Sequence, residues 1–247
     1  MLRPGHVAES TMTHQLRLRV CAALTTALLA VSGGYAYGTA GEASRTLPTA
    51  GPNDEVTRDI ESAVQGVDAF WRKHWSDYFT GAYVPPTVLG PYDGASPNAP
   101  TCGGEPLVDD NAVYCPTSED YLAWDMDLMR SGYRFGDGFV YLVVAHEWGH
   151  AIQNRLDVRL RTIDSELQAD CLAGAELEGA ARDGTLVFEP GDVDELRTAL
   201  VLVADETPWT KVGDHGSASE RVAAFTLGQQ QGVEGCLPSS VTDGAQS

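Results

Sequence analysis

The chain has 247 residues, of which 43% are hydrophobic, and a formal net charge of −19. That is material for one domain with a sizeable core. The acidic balance, without any basic run, argues against nucleic acid and anionic membrane surfaces as partners, and no repeat at a fixed period points to a solenoid.

The first forty residues differ from the rest. Arg17 and Arg19 precede an apolar run from Val20 to Val31, and Ser32, Gly33, Gly34, Ala36, Gly38 and Ala40 follow. A charged start, a short apolar stretch and a small-residue exit describe a secretory signal peptide, with cleavage after Gly38 or Ala40. An uncleaved anchor is the alternative, but a spanning helix needs about 20 apolar residues and the strongly apolar part is shorter. The expected organisation is a leader over residues 1–40 and a single domain over 41–247. The expected location is secreted or extracytoplasmic, with membrane contact only through an uncut leader. Loss of the leader removes Cys21 and leaves Cys102, Cys115, Cys171 and Cys236. An even number in an oxidising compartment predicts two disulfides. Three pairings are possible. The favoured one joins Cys102 to Cys115 and Cys171 to Cys236.

Residues 41–52 read as a flexible lead-in rich in Gly, Ala, Ser, Thr and Pro. A helix is predicted over about 54–79, with Val56, Ile60, Val64, Val67, Phe70, Trp71 and Phe79 on its apolar face. Residues 80–111 are crowded with Pro and Gly and read as a long loop, pinned by a disulfide at Cys102. Short strands are expected at Ala112–Cys115 and Tyr121–Trp124. An almost wholly apolar helix follows over about 138–155. Another runs from near Ser165 to Arg182, its start marked by a Ser165–Gln168 capping box. A third spans about 192–204, with Val193, Leu196, Leu200 and Val203 inward. The last begins after Gly216, marked by a second box, Ser217–Glu220. The fold class is α+β, mostly helical with a small sheet.

The chemistry sits in the apolar helix, as His146-Glu147-Trp148-Gly149-His150. Burying three ionisable groups there is costly unless something pairs with them. Histidines at i and i+4 share one helix face, so both can ligate one metal ion. A hydrolytic zinc site takes three protein ligands and keeps a position for water. The glutamate beside the first histidine is then the base that deprotonates that water. Gly149 makes room for a neighbouring backbone or a substrate. The extended pattern with a third histidine fails, because its later positions hold Gln153 and Leu156. The third ligand is therefore sought in Glu166-Leu167-Gln168-Ala169-Asp170. Glu166 and Asp170 stand one turn apart. Glu166 is assigned as ligand, and Asp170 as acceptor for the free N–H of a ligand histidine.

HEWGHAIQ, ELQADCLAG and HGSASERVAAFTLG, in that order, resemble the neutral zinc metallopeptidases of bacteria. Asn111-Ala112-Val113-Tyr114-Cys115-Pro116 is similar to that family's strand before the catalytic helix. The E-x-x-A-D element is also similar to the HtpX-like zinc peptidases. The likeness covers about residues 55–235 and is dense only at these motifs. It implies a zincin-like fold, one zinc ion per chain held by His146, His150 and Glu166, and Glu147 as catalytic base. It further implies His215 at the border of the site as oxyanion donor, with Arg221 orienting it or a carboxylate. Tyr114 and Tyr121 are rival donors. The strand Tyr121–Asp125 is expected to pair with an extended peptide substrate. The resulting expectation is an exported zinc metallopeptidase acting on peptides or proteins. Its rivals are a zinc amidase acting on cell-wall material and a zinc-stabilised binding protein without catalysis.

Overall fold

The computed structural model describes residues 52–208, 211 and 214–238, all within the compact unit Leu47–Ser247. The apolar run and small-residue exit of the expected leader lie outside the described residues. The elements are α1 (Pro52–Tyr78), β1 (Thr87–Tyr92), β2 (Thr101–Cys102), β3 (Glu105–Pro106), β4 (Ala112–Cys115) and β5 (Tyr121–Asp125). Then follow α2 (Met126–Tyr133), α3 (Gly138–Arg155), a 3-10 turn (Val158–Leu160), α4 (Ser165–Asp183), α5 (Asp192–Leu202) and α6 (Ala218–Gly235). The class is α+β, mostly helical with a small sheet.

The apolar helix α3 is the centre of the molecule. Fourteen of its eighteen residues are buried, as a helix that is hydrophobic all round requires. It packs against α1, α2, α4 and α5, and β4 lies along it. Helix α1 covers it with Val56, Ile60, Val67, Phe70 and Trp71 buried and Val64 partly buried at the margin, while Phe79, expected on this helix, lies just past its end and is partly buried.

Helices α4 and α6 approach until their backbones touch. A Cβ on Gly174 would stand 2.1 Å from the Phe225 carbonyl oxygen, and one on Gly228 would stand 1.8 Å from that of Cys171. Helix α6 opens on the expected capping box, with Ser217 and Glu220 bonding reciprocally. It kinks at Gly232, whose φ of 67° suits glycine. Beyond the kink, Cys236 pairs with Cys171, and Cys102 pairs with Cys115. Both favoured disulfides are present. They point to an oxidising, extracytoplasmic setting. Among the described residues no helix is long and apolar enough to cross a membrane.

Three expectations are corrected. The stretch 80–111 is not a plain loop: it supplies β1 and the β2–β3 hairpin, which the Cys102–Cys115 disulfide ties to β4. The sheet order is β1-β5-β4, with β1 parallel and β4 antiparallel to β5. Tyr121–Asp125 is therefore the central strand with both edges taken, and it cannot receive a substrate strand. β4 is an edge strand. Finally, Ser165 is the first residue of α4 and does not cap it. Asp164 is the N-cap and makes no side-chain cap hydrogen bond, while Gln168 bonds elsewhere.

The helix contact generates a prediction. Gly228→Ala would gain about 1 kcal/mol of helix propensity, yet its methyl group has no space against Cys171. Forced repacking of that kind costs about 3 kcal/mol. A lower urea midpoint at unchanged slope is expected, and a midpoint at or above wild type would contradict it.

Candidate metal centre

The site forms where α3 and α4 cross. Gly149 permits the crossing: a Cβ there would stand 2.8 Å from the Ala169 carbonyl oxygen. The room it leaves is filled by the α4 backbone. The close approach brings Glu166 and Asp170 over the histidine face of α3.

His146 Nε2, His150 Nε2 and Glu166 Oε2 then form a triangle. Its sides are 3.2 Å between the histidines, 3.2 Å from His146 to Glu166 and 3.3 Å from His150 to Glu166. The imidazole planes stand at 88° to each other. Tetrahedral ligands about 2.0–2.2 Å from a metal ion lie roughly 3.3–3.5 Å apart. The triangle therefore fits three corners of such a site and leaves the fourth open towards a cleft of about 730 Å³.

Electrostatics favour a cation at this point. With protons alone, burial pushes His146 towards its neutral form, but Asp170 and Glu166 override burial and hold its pKa well above the ordinary imidazole range. Burial would raise Glu166, yet its hydrogen bonds to His146 and His150 bring it well below the usual carboxylate range.

Asp170 is fully buried and bridges two partners. Its Oδ1 lies 2.8 Å from His146 Nδ1, and Arg221 binds both its oxygens at 2.8 Å through Nε and Nη2. Arg221 also donates to the Val203 carbonyl. The expected acceptor role of Asp170 matches this geometry. Arg221 orients that carboxylate and not His215. Because the carboxylate accepts, His146 carries a proton on Nδ1, and Nε2 is the nitrogen left to face the triangle and serve a metal ion.

Glu147 faces the cleft beside the triangle, and its Oε2 accepts the Tyr114 N–H at 2.7 Å. β4 thus anchors it. His215 borders the same cleft. Asp205 holds its turn by accepting from the backbone N–H groups of His215 and Gly216. The His215 side chain is 52% exposed, with Nε2 3.9 Å from Glu166 Oε2 and Nδ1 3.7 Å from Asp205 Oδ1.

The rival tyrosines are committed elsewhere. The Tyr114 hydroxyl donates to Asp120 at 2.6 Å and accepts from Asn154 at 2.8 Å. That of Tyr121 donates to the Thr101 carbonyl. Two residues missed in the sequence, Gln153 and Gln168, lie buried behind His150. Gln153 bonds His150 Nδ1 at 2.9 Å. Its signal was its place in an apolar helix, one turn beyond the second histidine.

Two further acidic clusters, Asp93–Asp109–Asp125 and Asp137–Asp192–Glu195, contain no histidine. In the first, both Asp125 oxygens already accept backbone N–H groups, from Gly94 and Asp127.

Arg221→Met would leave the buried Asp170 carboxylate with His146 as its one remaining charged partner and two donors lost, which costs about 3 to 5 kcal/mol. A fall of that size in unfolding free energy is expected from denaturant titration. A loss under about 1 kcal/mol, the scale of an exposed ion pair, would show that Asp170 does not depend on Arg221.

No family model matches the chain, and no solved structure matches it. Proteins of Mycobacterium tuberculosis and Mycobacterium bovis, each named only as uncharacterized, are 30% identical to it over 158 residues. The alignment covers 48% of this chain and 51% of each relative, so the chain spans about half the length of the curated relatives it matches.

Proposed function

We propose that the protein is an exported zinc metallopeptidase of zincin-like fold, related to the neutral zinc metallopeptidases that its motifs resemble. One observation carries this reading. Two histidine nitrogens and a carboxylate oxygen converge within 3.3 Å at the wall of a large cleft, with Glu147 beside them. A site that only stabilises the fold has no use for a carboxylate facing the cleft. Export is supported by the two disulfides and by the apolar N-terminal sequence.

His146, His150 and Glu166 would hold the zinc ion. When bound, zinc lowers the pKa of a water molecule towards neutrality and polarises a carbonyl group. Glu147 takes the proton of the attacking water and passes it to the leaving amine. The Tyr114 N–H on its Oε2 keeps the carboxylate aimed while the proton moves. His215, with its exposed ring on the cleft, donates to the oxyanion as it develops. Asp170, locked by Arg221, keeps His146 in the tautomer that a metal requires.

The peptide lies along β4. Because Tyr114 gives its N–H to Glu147 on the side away from β5, Ala112, two residues earlier, turns its own N–H and C=O to that same edge. Main-chain pairing there holds a substrate extended beside the triangle without demanding particular side chains.

The test is cleavage of casein or a mixed-peptide pool by the purified protein, with and without a chelator, beside Glu147→Gln. Chelator-sensitive cleavage is expected. The variant should keep its metal and melting temperature while losing about 10²–10⁴ in kcat, the range for a general base. Undiminished turnover by Glu147→Gln would sink the assigned role, and no metal uptake by the folded wild type would sink the zinc reading itself.

A further inference from the structure

The hydrogen bonds behind His150 form a directed chain. The Gln153 amide nitrogen donates to the Ser165 carbonyl at 2.6 Å and to Gln168 Oε1 at 3.2 Å. A carbonyl can only accept, so the amide orientation of Gln153 is forced, and its Oε1 faces His150 Nδ1. Nδ1 must therefore carry a proton, and Nε2 is the nitrogen left to face Glu166 and His146. The orientation of Gln168 is forced in the same way. Its nitrogen donates to the carbonyls of Leu160, at 2.8 Å, and Cys236, at 3.0 Å. Its oxygen accepts from Gln153 and from the Thr162 N–H. Both glutamines are buried, so an unmade bond in this chain has no water to replace it.

The chain ends at a residue whose position is covalently set. Cys236 lies beyond the Gly232 kink and is held to α4 by its bond to Cys171. Cys171 follows Asp170 directly, and Gln168 lies one turn of α4 before it. The disulfide thus holds the last acceptor of the chain against the helix that carries Glu166.

We propose that Gln153 and Gln168 are positioning residues that fix the tautomer and aim of His150, and that they make metal affinity depend on the Cys171–Cys236 disulfide. The inference rests on reading His146, His150 and Glu166 as metal ligands. Its consequence is that the chain holds metal weakly until those two cysteines are joined, so tight loading follows arrival in an oxidising compartment.

The experiment measures Zn²⁺ affinity by competition with a chromophoric chelator, and the rise in melting temperature that Zn²⁺ produces. It uses the full chain, Gln153→Leu, Gln168→Leu, the double variant Cys171→Ala/Cys236→Ala, and Cys102→Ala/Cys115→Ala as control. Gln153→Leu and Gln168→Leu should each weaken Zn²⁺ binding about 10- to 100-fold, the usual effect of losing a histidine's outer partner. The Cys171/Cys236 variant should weaken it by about tenfold, and the control by less than twofold. The Zn²⁺-induced rise in melting temperature should shrink in the same three variants. A merely structural role would lower melting equally with and without Zn²⁺ and leave affinity unchanged, and that result would overturn the relay. Equal affinity in the two cysteine variants would overturn the disulfide limb. Should the Cys171/Cys236 variant fail to fold, Gln168→Leu decides the relay, and the Zn²⁺ affinity of Cys102→Ala/Cys115→Ala before and after reduction decides the disulfide limb, unchanged affinity overturning it. A folded wild type that takes up no Zn²⁺ would overturn the ligand reading and the relay together, whereas binding equal to wild type in both glutamine variants overturns the relay alone.

Discussion

Asp170 is the charge on which the core depends. It has no exposure to water, and it joins His146 of α3 to Arg221 of α6 from its own place on α4. A buried carboxylate is tolerable only with its lone pairs filled by good donors. Here three donors from two helices fill them. The three helices are consequently fixed in register at the level of the candidate ligands, and the same contact that makes a charged core possible aims a histidine.

Glycine sets the distances at which this works. Gly149 lets α4 lie against α3, and Gly174 with Gly228 lets α6 lie against α4. The short Asp170 side chain accepts from His146 and Arg221 at once because the backbones are so close. The second wall of the cleft has another origin. β4 runs beside α3 as a sheet edge and gives one N–H to Glu147. It is held in place by β5 on one side and by the Cys102–Cys115 link to the preceding hairpin. Glu147 is thus positioned by the sheet, and the candidate ligands by the helices.

The two disulfides serve these two walls separately. Cys102–Cys115 steadies β4, a short strand at the end of a Pro- and Gly-rich segment that buries little by itself. Cys171–Cys236 steadies the tail beyond the Gly232 kink, whose Cys236 carbonyl takes the last donor of the glutamine chain. Closing a chain loop stabilises chiefly by restricting the unfolded ensemble. Each bridge here also places a backbone group that a side chain of the cleft uses.

What the sequence determined by itself is local. His146, Glu147 and His150 are ordered by helical period alone, since i and i+4 share a face. The Ser217–Glu220 box needs only four consecutive residues, α1 and α5 follow from apolar spacing, and α3 from an almost unbroken apolar run. Glu166 and Asp170 were legible as a pair one turn apart, and the cysteines paired as their positions suggested. Tertiary structure decided everything that depends on what packs across the chain. The Ser165–Gln168 pattern reads as a cap, yet Gln168 bonds the tail 68 residues away. Arg221 follows a histidine by six residues but answers a carboxylate 51 residues earlier. Tyr121–Asp125 reads as a short apolar strand, and only the pairing of β1 with it makes it central and leaves β4 at the edge. These partners are chosen by burial and by hydrogen-bond satisfaction between distant segments, and no local period carries that information.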